Sequence, residues 1–220
     1  MTTWNNAVPN RLKLYEHKRE ALLREAVAAF NQRGFHATSL GEIASSLGVT
    51  KAALYHYFPN KHALLSAAFE RAMEVAFENL EKARAQGGTN LEVLSRTLTG
   101  YLTAILDDLN CCVILTEENA LPPEDREALI LKRDQFEQGL RDLVENGIAV
   151  DGSIIPCNSK LAVFALLGAI NWVPKWFSPE GPWRNDELAV ALVEMLCRGL
   201  SSNPVERLAI DITVAPVGTV

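Results

Sequence analysis

Three chain breakers, Gly34, Gly48 and Pro59, fall within 26 residues of one another. A glycine after the last periodic apolar residue ends a helix, and a proline cannot continue one. Whatever forms here must be built from short helices leaning on a longer one. Upstream, Leu22, Leu23, Ala26, Ala29 and Phe30 make one stripe at helical spacing, which predicts a helix from about Glu16 to Arg33 that Gly34 stops. Ser39 followed three residues later by Glu42 is a capping box, in which each side chain satisfies the other's free backbone donor. It starts a helix over 40–46. Thr50 can cap a second short helix, 51–58, that Pro59 ends, and Asn60 can cap a long helix running to Gly87-Gly88.

The rest of the chain repeats the same period. Helices are expected near 90–109, 111–119, 123–146, 158–173 and 185–200. Pro122-Pro123 followed by "EDREAL" is a helix start with acids in its first turn. "NGIAVDGSIIPCN" and "FSPEGPW" read as loops, and residues 203–220, ending "LAIDITVAPVGTV", as an extended tail. No stretch alternates strongly enough to predict a sheet. The fold class is all-α.

Charge separates the ends. The chain has formal net charge -6, yet residues 1–62 hold eight Lys or Arg against four Asp or Glu. A basic head on an acidic body is the asymmetry of a chain that presents one end to a polyanion. All four histidines (His17, His36, His56, His62) lie in that head. The four cysteines (Cys111, Cys112, Cys157, Cys197) have no CxxC spacing and no histidine nearby, which argues against zinc or any other metal. The first ten residues have no signal-peptide architecture. The longest apolar run, 161–173, is thirteen residues and holds Asn171, too short to cross a bilayer. A cytoplasmic chain with no membrane partner and no cofactor is expected.

The two short helices flank a turn at Leu47-Gly48-Val49, the layout of a helix-turn-helix. At about 100° per residue, Leu54 and Phe58 share the side that can pack on Ile43, Ala44, Leu47 and Val49. Lys51, Ala52, Tyr55 and His56 face away. Such a face carries a cation, a small residue that lets the helix sink into the major groove, and two hydrogen-bonding tips. Thr50 and Lys61 stand at helix starts, where backbone N–H groups also suit phosphate.

These residues resemble a known family. "GFHATSLGEIASSLGVTKAALYHYFPNKHALL", Gly34 to Leu65, is similar to the DNA-binding head of the TetR family of bacterial transcriptional regulators. The resemblance implies a homodimer on a palindromic operator and a recognition helix at about Thr50–Tyr57. It implies phosphate contacts from Thr38 or Ser39, Tyr55, Tyr57 and Lys61, with Lys51, Ala52 and His56 toward base edges. One departure is visible: the family often has glycine in the slot of Ala52 or Ala53, which bears on target sequence. The implied architecture is a helix-turn-helix head over 1–62, a larger helical effector-binding and dimerisation domain over 63–202, and the tail.

In that body, the segment 158–173 is apolar nearly all round and must be covered on every side. A second copy is the economical cover, with Leu161, Phe164, Leu167 and Gly168, and Leu192 and Met195 of the last helix, as interface residues. "NWVPKWFSPEGP", with Pro174 expected to kink the helix between Trp172 and Trp176, is similar to the same region of family members that respond to acyl-coenzyme A thioesters. The pocket residues expected on that basis are Tyr101, Ile105, Cys111, Phe136 and Trp172, with Arg133, Arg141 or Lys175 toward the phosphates. A repressor released by a small apolar effector is the main reading, with a corepressor response as its opposite sign. Two other classes remain: an architectural DNA-binding protein without effector, and a helical enzyme with Cys111 or Cys157 as nucleophile. No histidine beyond His62 could serve as its base.

Overall fold

Residues 11–108 and 118–203 are described by the computed structural model. Their helices are α1 (Arg11–Arg33), α2 (Leu40–Ser46), α3 (Lys51–Tyr57), α4 (Lys61–Ala85), α5 (Asn90–Asp108), α6 (Pro123–Ala149), α7 (Ser159–Trp172) and α8 (Asn185–Arg198). One isolated antiparallel bridge, Ile154 to Ser201, is the sole β pairing among the described residues. The all-α expectation holds. Cys111, Cys112, most of the expected 111–119 helix and the tail beyond Asn203 lie outside the described residues. Within that helix's span, Glu118–Ala120 forms a single 3-10 turn.

Two compact units make up the chain. The first comprises residues 1–75 and 104–133, the second 76–103 and 134–220. In the first, the predicted α1 stripe is the buried one: Leu22, Leu23, Ala26, Ala29 and Phe30 are all enclosed. Phe35, Ile43, Leu54 and Phe58 complete this core, so α2 and α3 dock through the faces that their spacing indicates. Val49 differs: it is 40% exposed, because the turn after Gly48 carries it outward. α1 also begins at Arg11, five residues before the expected start at Glu16. "RLKLYEHKRE" consists largely of strong helix formers, and propensity extends a helix where burial does not.

In the second unit, Leu98, Leu102, Leu140, Val144, Val163 and Ile170 are fully buried. α6 runs through Asn146-Gly147, which the sequence marks as a loop. Gly147 is there for close approach: a Cβ on it would lie 2.6 Å from Ile154 Cδ1. The true turn comes at Gly152, with φ +67°, a backbone state that costs glycine nothing. Pro174 does not kink a continuing helix. α7 ends at Trp172, and Pro174 sits inside the 3-10 turn Val173–Lys175. Arg96 closes the C-terminal end of α4, its guanidinium donating to the Gly87 and Ala83 carbonyls.

Candidate nucleic-acid interface

The head is assembled from caps. Ser39 Oγ accepts from Glu42 N–H at 3.2 Å, and Glu42 Oε2 accepts from Ser39 N–H at 2.7 Å, as the capping box predicts. The backbone hydrogen bond from Ser39 holds the Glu42 carboxyl below its ordinary range. Thr50 Oγ1 caps α3 by accepting from Ala53 N–H at 3.2 Å. Asn60 Oδ1 accepts from Ala63 N–H at 2.8 Å at the start of α4. A hydroxyl that accepts as a cap keeps its own proton, so Ser39 and Thr50, both exposed, can still donate outward. Gly34 (φ +83°) and Gly48 (φ +64°) make the left-handed turns that end α1 and α2.

On this frame α3 turns Leu54 fully inward and Lys51, Ala52, Tyr55 and His56 outward. The Lys51 ammonium lies 5.8 Å from the Tyr55 ring centroid. Tyr57 is half-buried, because the Tyr15 ring of α1 stacks on it with centroids 4.7 Å apart. The result is a short helix carrying a cation, a methyl and three polar-tipped rings over an apolar underside. That combination can reach phosphates and base edges together.

Two expected phosphate contacts are placed otherwise. Thr38 is 2% exposed, and its hydroxyl donates inward to Gly34 O at 2.9 Å and Ala29 O at 3.2 Å. It ties the loop to α1 and is not presented to a ligand. Lys61 Nζ turns back to the Phe35, Thr38 and His36 carbonyls at 2.7, 3.0 and 3.4 Å, over the Phe35 ring at 4.3 Å. Its ammonium holds the loop between α1 and α2. Tyr15, and Arg19 with its guanidinium 4.9 Å from the Phe58 ring centroid, are the head residues that the sequence reading missed. Tyr15 lies before the stripe from which α1 is read.

Of the expected effector residues, Tyr101, Phe136 and Trp172 belong to the second unit and Ile105 to the first. In the second unit Tyr101 and Phe136 meet at 5.6 Å, and Phe77 joins Phe136 at 5.8 Å. Trp172 is 63% exposed; its neighbour Asn171 turns inward, and Tyr101 Oη donates to Asn171 Oδ1 at 3.2 Å. Ile105, 1% exposed, belongs to the core of the first unit, and Cys111 lies outside the described residues. Of the expected cations, Arg133 is bound to Glu118 at 2.8 Å, Arg141 lies 3.9 Å from Glu137, and Lys175 is exposed. Burial pushes Glu118 up, but hydrogen bonds and charge from Arg126 and Arg133 outweigh it and hold the carboxyl below its ordinary range. In the first unit a small solvent-open cleft is lined by Ser66, Phe69, Glu70, Asp125, Leu129 and Lys132, none of them an expected pocket residue.

The expected interface residues sit on the outer side of α7 and α8. Leu161, Phe164 and Met195 are 68%, 48% and 49% exposed, Gly168 is open, and Leu167 and Leu192 are half-buried. Among the described residues, α7 is therefore covered on one side only, the side of its own Val163, Leu166 and Ile170. Burial pushes both described thiols upward, Cys197 to about 12, which disfavours the thiolate at each. Among the described residues no group of His, Cys, Asp or Glu could hold a metal ion, and no helix is long and apolar enough to cross a membrane.

Comparison with known proteins places both parts of the chain. The family profile described as "Bacterial regulatory proteins, tetR family" matches residues 22–68. The one described as "Tetracyclin repressor-like, C-terminal domain" matches residues 87–200. The HTH-type transcriptional repressor KstR2 of Mycolicibacterium smegmatis is 23% identical over 193 residues, covering 84% of this chain and 92% of KstR2. The crystal structure of the TetR-family regulator PfmR from Thermus thermophilus is 32% identical, with TM-score 0.73 over 82% of this chain and 98% of PfmR. That of AibR in complex with isovaleryl coenzyme A and operator DNA is 26% identical, with TM-score 0.69 over 80% of this chain and 96% of AibR.

Proposed function

The chain belongs to the TetR family of bacterial regulatory proteins, and from that premise we propose that it is a homodimeric repressor of a palindromic operator, released by a small apolar effector. The observation that carries the reading is the outer face of α3. Lys51, Ala52, Tyr55 and His56 are exposed there while Leu54 and Phe58 anchor the helix from below. A second copy covers Leu161, Phe164 and Met195, which would otherwise leave large apolar side chains in water. The pair presents two recognition helices, which meet successive major grooves when about 34–36 Å apart. An effector that prefers a dimer of different spacing lowers operator affinity by its differential affinity for the two states.

The effector class we propose first is an acyl-coenzyme A thioester. AibR, similar over most of both chains, was crystallised with one together with operator DNA. The acyl group would meet Phe77, Tyr101 and Phe136, where apolar surface and one hydrogen-bonded pair, Tyr101 and Asn171, lie together. An intracellular regulator without enzymatic activity is the accompanying reading; burial raises the pKa of both Cys157 and Cys197, which disfavours a thiolate nucleophile at either. The test is a fluorescence-anisotropy titration against duplex DNA from upstream of its own gene, with and without a panel of acyl-coenzyme A thioesters. Tight, salt-dependent binding to a palindrome, released by one thioester, supports the whole reading. Tightening by a thioester reverses the sign of regulation. Indifference to all of them removes the thioester and leaves the DNA-binding regulator. Failure to bind any duplex removes the regulator.

A further inference from the structure

Propensity, not burial, carries the first turns of α1. From Lys13 to Lys18 every side chain is exposed, and the sequence runs no apolar stripe through them. Yet two residues one turn apart reach the end of α3. Tyr15 stacks on Tyr57 with centroids 4.7 Å apart and an interplanar angle of 30°, and it meets His56 edge-on at 6.0 Å. Arg19 lies against Phe58, the C-cap of α3. His56 and Tyr57 also meet each other edge to face at 5.4 Å. Three rings on two helices thus hold one another in place at the surface. Among the described residues, neither the Tyr57 hydroxyl nor the His56 imidazole takes part in a side-chain hydrogen bond.

We infer that Tyr15 is a positioning residue for DNA recognition, setting the Tyr57 ring in the arrangement that α3 carries to the groove. This rests on the DNA-binding reading above. The stack acts by pre-ordering the ring. An exposed tyrosine loses rotamer freedom when it binds, and that loss weakens affinity. A stacked partner removes the freedom beforehand. Immobilising one such side chain on binding corresponds to about a fivefold change in affinity, which the stack avoids by ordering the ring beforehand. Tyr15 carries no charge, so its effect does not pass through counterion release.

The experiment lets the wild-type chain select a duplex from a random-sequence library, then measures affinity for that duplex by anisotropy over a salt series. Tyr15→Ala is expected to bind about fivefold more weakly with an unchanged salt slope. Tyr15→Phe, which keeps the ring, is expected to stay within about twofold of wild type. Tyr57→Ala and the double variant Tyr15→Ala/Tyr57→Ala are expected to bind alike, because a residue acting through another adds nothing once that partner is gone. Circular dichroism checks that each variant keeps its helices. Should Tyr15→Ala lose them, Tyr15→Leu is measured, with the same loss of affinity expected. Wild-type affinity in the folded variant without the ring stack overturns the inference. So does an additive double variant, which marks general packing, or a Tyr15→Phe as weak as Tyr15→Ala, which makes the hydroxyl itself the contact. If the wild-type chain selects no duplex, the regulator reading fails first and this inference with it.

Discussion

Lys61 separates two accounts of the head. By its place at the start of α4 it is a phosphate contact; in the structure its ammonium donates to the Phe35, His36 and Thr38 carbonyls and lies over the Phe35 ring. Lys61→Met keeps most of the aliphatic stem and removes the charge and its donors. A hydrogen bond involving a charged group contributes about 1.5–3 kcal/mol net. The half-exposed setting of Lys61 lets water replace part of that, which places the loss at the low end. The cation over Phe35 adds about 0.5–1 kcal/mol. The expected destabilisation is about 2 kcal/mol, equivalent to about 4–8 °C for a chain of this size. Urea unfolding followed by circular dichroism should show a lower midpoint with an unchanged slope. Measured where the variant is fully folded, the dependence of DNA affinity on salt should match wild type, since no phosphate has lost a partner. A stability change of less than about 0.5 kcal/mol together with a salt slope lower by about one would instead make Lys61 a phosphate contact.

Three further outcomes are expected. Thr38→Val removes the inward donor to Ala29 and Gly34 while keeping shape; it should cost about 1–2 kcal/mol in thermal or urea unfolding and leave the DNA affinity of the folded protein unchanged. Burial raises Asp151, but hydrogen bonds from Ser153 and Asn90 outweigh it and lower the carboxyl from 3.8 to about 2. Because the folded value lies below the unfolded one, its contribution is full above 3.8 and is lost as pH falls through about 2; urea midpoints of Asp151→Asn should be lower at neutral pH and fall less across that window. Phe164→Glu, at a side chain 48% exposed on α7, should shift the sedimenting species from dimer to monomer with helix content intact; an unchanged dimer would place the interface elsewhere.

Much of the head is legible in the sequence because its determinants act over a few residues. The capping box at Ser39 and Glu42, the Thr50 and Asn60 caps, and the left-handed turns at Gly34 and Gly48 each join groups within one helical turn. Local spacing also decides that Leu54 and Phe58 go under α3 and that Lys51, Ala52, Tyr55 and His56 do not. Tertiary structure alone decides the rest. Lys61 reaches carbonyls 23 to 26 residues back in the chain, and Tyr15 finds Tyr57 across two helices. Ile154 fills the space a Cβ on Gly147 would take, and Asn171 turns toward Tyr101 in place of Trp172. In each case the partner is chosen by which helix faces meet. Those faces are set by the packing of the whole core, which no window of neighbouring residues contains.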